Sequence, residues 1–319
     1  GYYRDRSPFD ANGDEFSEIT SIKNSTVGSR LFHRFGYRGK LAIDFFNIKE
    51  ERRGGNMFEY PEHEADIAES VNHNITTVGV TYEQFLREFD LFSVYGSAQL
   101  VDRDSYYGAQ KSLADYGHTN GSTFIGGTQY KAILGGTSLV FGGELVGDEL
   151  LDTKLGYPDY SNPIFNNDSI IGFNNTQNTL IADQRTSTLG LFSQYDIDLD
   201  RLHLSIGGRF DHYQIINQTN NDKDAGNVFS PRISILYQIL SSVQARFSYS
   251  KGYRAPQIYD EDLHIETSGS RKVIHKNSAD LTQENSHTIM TSFDYNGKIG
   301  ETSLAFLAEG FYTRLDNPF

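Results

Sequence analysis

Apolar residues return at every second position through most of this 319-residue chain, and that period constrains its fold more than any other feature. In SSVQARFSYSKGYR, residues 241–254, Val243, Ala245, Phe247 and Tyr249 alternate with Gln244, Arg246, Ser248 and Ser250. Successive side chains of a strand point to opposite faces, so a period of two predicts β-strands. Phe92, Val94, Gly96, Ala98 and Leu100 repeat the pattern, as do Leu139, Phe141, Gly143 and Leu145. So do Leu202, Leu204, Ile206 and Phe210; Phe229, Ile233, Ile235 and Tyr237; and Leu304, Phe306 and Ala308. About a dozen strands are expected, many reaching the roughly 9–11 residues that a tilted strand needs to cross a bilayer. In a soluble sandwich the apolar face is the core. In a membrane barrel it meets lipid, and the polar face lines a lumen.

The connections help to choose between these architectures. Short turns are expected near 36–38, 89–90, 135–136, 199–200, 240 and 296–297. Long polar connections are expected over 51–72, 103–121, 151–184, 215–228 and 252–283. Strict alternation of short and long puts every long loop at one end of the strands, the asymmetry of outer-membrane barrels. A sandwich predicts tight connections at both ends. No repeat of fixed period points to a propeller or β-helix.

Composition agrees. Only 37% of residues are hydrophobic, and mean hydropathy is −0.50. No run approaches the roughly 18 apolar residues of a spanning helix, which excludes a helical membrane protein but not a barrel. The 20 tyrosines, 22 phenylalanines and 30 glycines against 7 prolines are strand-and-turn composition. Without cysteine there are neither disulfides nor thiolate metal sites. A net charge of −14 argues against a nucleic-acid partner, which a basic patch would announce. The chain opens on GYYRDRSPFD, without the charged and apolar regions of a signal peptide. Together with the abrupt end at YTRLDNPF, this gives the expectation of a piece of something longer.

Seven segments carry a family resemblance. RRGGNMFEYPEHEADIAE (52–69), DRDSYYGA (102–109), GGRFDHY (207–213), FSPRISILY (229–237), SYSKGYRAPQIYDEDLHI (248–265), LTQENSH (281–287) and EGFYTRL (309–315) follow one another along the chain. In that order they resemble TonB-dependent outer-membrane receptors, particularly those of Bacteroidetes-type bacteria. The resemblance implies a transmembrane antiparallel barrel of 22 strands, closed by an N-terminal plug with a TonB-binding box. Residues 1–319 would then be the middle of the barrel, lacking plug and C-terminal strands, in the outer membrane of a Gram-negative bacterium. The implied function is import of a scarce nutrient (ferric siderophore, haem or cobalamin class) through loop capture and energised plug movement. Its implied partners are the TonB complex, a small chelate or vitamin, and outer-membrane lipid. A passive barrel or surface-binding scaffold is the alternative from another class, and a soluble all-β binding protein is a third.

Chemistry-bearing clusters are few. DANGDEFSE sets Asp10, Asn12 and Asp14 at alternate positions with Glu18 beyond, the opening of a calcium loop. Gly13 falls one position early, however, and Ser21 stands where a bidentate Glu would close the loop, so an acidic turn at Asn12-Gly13 is the other reading. PEHEADIAESVNH lacks the H-E-x-x-H spacing of a zinc site and reads as a short helix in a loop. Carboxylates of YDEDLHIE suggest no catalysis without a nucleophile or pocket around them. No Ser-His-Asp order, phosphate loop or G-x-G-x-x-G in strand–helix context occurs, so no enzyme and no required cofactor are expected. Loop residues Tyr157, Tyr160, Asp260, Asp262 and His264 are the candidate ligand contacts, because binding residues concentrate on long loops over a rigid scaffold.

Overall fold

The computed structural model describes residues 1–256 and 282–318. One antiparallel sheet of thirteen strands holds almost all of them. In chain order the strands are β1 (Tyr2–Arg6), β2 (Ser21–Phe35), β3 (Gly39–Gly55), β4 (Ile67–Phe85), β5 (Leu91–Ala109), β6 (Tyr116–Leu134) and β7 (Thr137–Lys154). A separate hairpin, β8 (Pro158–Asn166) and β9 (Ser169–Asn175), follows. The sheet resumes with β10 (Thr179–Leu199), β11 (Leu202–Asn217), β12 (Asp222–Leu240), β13 (Val243–Arg254), β14 (Glu284–Ile299) and β15 (Thr302–Asp316). Each sheet strand pairs with its predecessor in the sheet, so the topology is a plain meander with β1 and β15 as its edges. This is an open stretch of barrel wall, of thirteen strands rather than about twelve.

Cross-strand partners share a face, so the register sorts the side chains. One row runs Leu31–Ile43–Val80–Gly96–Gly126–Leu145–Leu189. Another runs Tyr195–Ile206–Ile233–Tyr249–Ile289–Tyr312. Most of these large side chains are exposed. Near the short turns the same face carries Tyr82, Tyr130, Tyr195, Tyr237 and Tyr295, a girdle of amphipathic rings like those at a membrane boundary. Behind the apolar rows the opposite face carries ionic and hydroxyl groups, among them Arg30 bonded to Asp44. The apolar face of the period-two pattern is therefore the outside of the wall. Phe247 lies on it, 43% exposed, whereas Val243 stands at the first position of β13 and is almost covered.

The alternation of connections holds, but the expected long loops are shorter, two of them most of all. The 103–121 and 215–228 connections reduce to 110–115 and 218–221, because β5, β6, β11 and β12 continue as strands through polar sequence. The expected turn at Asn296–Gly297 lies inside β14, and the chain turns instead at Gly300, whose φ of +63° suits glycine. Gly36 and Gly135 serve the same purpose at φ +63° and +64°.

The β4–β5 turn is anchored by Asp90, which is nearly buried. Its carboxylate accepts from Tyr130 Oη at 2.6 Å and from the Ile133 backbone N–H at 3.0 Å. The Tyr130 hydroxyl above all, then the Ile133 amide, hold this carboxyl below its ordinary value. A lowered folded-state pKa contributes stability above the unfolded value of about 3.9, and that stability fades as pH falls through the folded value. Asp90→Asn should therefore unfold more readily than the parent at neutral pH. The difference should narrow below about pH 4, as measured by acid-dependent urea unfolding in detergent.

Candidate functional site

The lumen face is organised by a single ladder row, Tyr95–Gly127–Glu144–Gly190–Asp211, crossing β5, β6, β7, β10 and β11. Large polar side chains alternate with glycine, and the glycines let those side chains lie flat across the intervening strand. A Cβ on Gly127 would sit 2.6 Å from the Tyr95 ring, and one on Gly190 would collide with Arg209 Nη2. Over Gly127, Tyr95 Oη donates to Glu144 Oε2 at 2.7 Å. Over Gly190, Arg209 Nη1 donates to Glu144 Oε1 at 2.9 Å, while Arg209 Nε donates to Asp211 Oδ1 at 2.7 Å. Asp211 is 2% exposed and Arg209 is its ionic partner. Nothing in the sequence analysis singled out this bracket. Its only local signal is Arg209 two residues before Asp211 in GGRFDHY, which puts both on one face.

Above the bracket, Tyr213, Ile215 and Val228 of the lumen face are buried, with Tyr253 and Ala255 packed against them. Tyr253 stacks on Tyr213 with ring centroids 6.0 Å apart. This position follows from an uneven ladder. β12 pairs with β13 only as far as Arg232↔Ser250, while β13 runs on against β14 to Arg254↔Glu284. The end of β13 leans inward and brings Tyr253 and Ala255 over the lumen face. Beside β1 the same face has a recess of about 450 Å³ lined by Arg4, Asn24, Glu50, Arg52 and His73.

The expected ligand residues distribute as follows. Tyr157 stands at the base of the β8–β9 hairpin, its backbone N–H donating to Thr176 Oγ1 at 3.0 Å. Tyr160 lies on β8, 66% exposed and edge-on to Phe173 at 4.9 Å. The hairpin turns at Asn167 and Asp168, both at positive φ, and touches no other strand of the described residues. It is an arm projecting from the loop end of β7 and β10. Asp260, Asp262 and His264 lie outside the described residues.

Carboxylate oxygens of Asp10, Asp14 and Glu18 do converge within 4.8 Å. Asp10 accepts the backbone N–H groups of Gly13 at 2.6 Å, Glu15 at 2.8 Å and Asn12 at 3.1 Å. The Gly13 amide first, with the other amides, holds the Asp10 carboxyl below its ordinary value against the opposing effect of burial. Glu18 accepts from Ala11, and Asn12 Oδ1 accepts from the Asp14 amide. These acceptors close the loop. Glu62 and His63, in a 3-10 turn over Glu62–Glu64, both meet Tyr116 Oη, at 3.3 and 3.0 Å. Both are spent on seating the β3–β4 loop over Tyr106 and Tyr116.

Solved structures of known proteins share this fold. Similar chains include the copper transporter OprC (TM-score 0.69, 13% identity, 93% of this chain and 46% of that one). The FrpB iron transporter of Neisseria meningitidis gives 0.67 at 14% identity, with 97% and 49% covered. The alcaligin outer-membrane receptor FauA of Bordetella pertussis gives 0.64 at 13%, with 95% and 45% covered. The chain thus spans about half the length of these structures. None of the curated protein sequences matches it. A family model for the TonB dependent receptor-like β-barrel matches residues 5–319, nearly all of the wall just described. With its meander, apolar exterior, polar lumen and one-sided loops accounted for by that match, the chain belongs to the TonB-dependent receptor β-barrel family.

Proposed function

We propose that this chain is the loop-bearing part of the barrel wall of an energised outer-membrane importer of a scarce nutrient, a metal chelate, haem or cobalamin-class vitamin. The observation that carries the reading is the sidedness of the wall. Every long connection, including the β8–β9 arm, leaves from one end of strands that are apolar outside and polar inside. Long loops on a rigid scaffold are where ligand recognition concentrates. Among the described residues the inner face offers ionic and aromatic groups, which suit ligand binding. FrpB and OprC, similar in fold, are an iron and a copper transporter, which favours a metal chelate. In this reading the wall belongs to the outer membrane of a Gram-negative bacterium of Bacteroidetes type. A plug outside these residues fills the lumen against the Arg209 bracket and receives the pull of the TonB complex.

The test is deletion of the arm. Replacing 158–175 by a short Gly-Ser link should reduce chelate uptake by intact cells to background. The barrel should still reach the surface and resist unfolding in cold detergent. Uptake should also stop when the inner-membrane proton gradient is collapsed. Unchanged uptake without the arm would refute loop capture, and uptake without a gradient would make the protein a passive barrel.

A further inference from the structure

On the outer face, apolar rows give way abruptly to polar ones. The row Val78–Ala98–Phe124–Gly147 is succeeded toward the loops by Thr76–Leu100–Ser122–Glu149 and then by Asn74–Asp102–Asn120–Leu151–Asp183. These two polar rows line a groove of about 600 Å³, open to the outside and crossing β4 to β10. Leu100 and Leu151, 58% and 40% exposed, put apolar surface among its hydroxyls, amides and carboxylates. Among the described residues no Lys or Arg lines it; Arg185, which continues the first of the two polar rows, is ion-paired to Glu149 at 2.5 Å.

We propose that this groove holds the hydroxyl-rich, carbohydrate headgroup of an outer-leaflet lipid. The inference rests on the membrane reading above and adds an occupant to the wall's exterior. Three observations select that occupant. The groove is continuous with the apolar band, so a lipid whose chains lie on Phe124 and Val78 has its headgroup at Ser122 and Asn120. Its lining suits hydroxyl groups, since carboxylates accept from them while amides and hydroxyls both donate and accept. The lack of cationic lining leaves a phosphate without a direct partner. The volume falls in the range of small-ligand sites, about 300–1,000 Å³, which accommodates one or two sugar rings.

The experiment uses the intact receptor, stripped of lipid in detergent and examined by native mass spectrometry. Three additives are compared: total glycolipid from the outer membrane of the same cells, phosphatidylethanolamine, and the deacylated saccharide of that glycolipid. The expected result is a retained glycolipid adduct that phosphatidylethanolamine does not displace and the free saccharide does not replace. Ser122→Trp, which fills the groove, should lower its retention about tenfold, the equivalent of one or two hydrogen bonds lost. Asn120→Leu, a smaller change on an exposed position, should act in the same direction and guards against misfolding of the first variant. Equal retention by parent and both variants would overturn the groove while leaving transport untouched. Saccharide binding as tight as the glycolipid, or an adduct removed by chelator, would overturn lipid-headgroup recognition in favour of a sugar or cation site. A receptor that stays dispersed without detergent would overturn the membrane reading itself.

Discussion

Replacing Phe247 by arginine should destabilise the folded receptor in a bilayer by about 2 kcal/mol, the low end of the midplane cost of a cationic side chain on a barrel's lipid face, because Phe247 lies two residues inside the Tyr237–Ala245 boundary pair. Phe247 lies within β13, outward, between Ile235 of β12 and Thr291 of β14. Phe247 is 43% exposed, and that part meets the hydrocarbon. Reversible urea unfolding of the intact receptor in phospholipid vesicles, followed by tyrosine fluorescence, gives the difference directly. The neighbouring Gln244→Ala supplies the contrast. Gln244 faces the lumen and donates to Asp294 Oδ2 at 3.0 Å, one hydrogen bond worth about 0.5–1.5 kcal/mol. Equal penalties at the two positions would mean that the apolar face does not meet lipid.

Arg209→Met should cost about 3 kcal/mol, at the low end of the range for breaking a buried ion pair. The low end applies because the Arg209 side chain keeps 31% of its surface exposed. The penalty arises mostly at the partners. Asp211 has a side chain only 3% exposed and Glu144 one only 16% exposed, so both carboxylates lose their counter-charge where water reaches them poorly. Removing the charge of Asp211 as well should recover part of the loss, so Arg209→Met with Asp211→Asn should be less destabilised than the sum of the single changes. The measurement is a double-mutant cycle in the same vesicles. Strict additivity would mean that the bracket does not act as a unit.

Much of the wall was legible because its exterior and interior alternate with period two. Leu202, Leu204 and Ile206, or Phe229, Ile233 and Ile235, lie on the face that the sequence pattern assigns them. Loop sidedness was legible as well, since it needs only the order of short and long connections. Loop length was not. Past the apolar band, strands such as β5 continue through Asp102 and Asp104, and β6 begins with His118 and Asn120. There both faces are polar, so the period vanishes while the ladder continues. The lumen bracket was hidden for a different reason. Glu144 meets Arg209 only because the registers of β7, β10 and β11 place Gly190 between Glu144 and Asp211. Residues 65 positions apart leave no local trace of that encounter.

The uneven ladder of β12 has a mechanical consequence. From Asp222 to Pro231 this strand is held from one side only among the described residues, by β11. Sheets resist tension along their hydrogen-bond direction in proportion to the bonds that share the load, so a half-zipped strand concentrates strain at the last shared pair, Arg232 and Ser250. Tyr253 and Ala255 press inward immediately beyond that pair, where Tyr213 receives them. A displacement of Tyr253 and Ala255 is levered onto the seam rather than spread around the circumference. The wall thus has a preferred crease, running from the lumen aromatics to the upper edge of β12, while the cross-braced span from β5 to β11 behaves as a stiff plate.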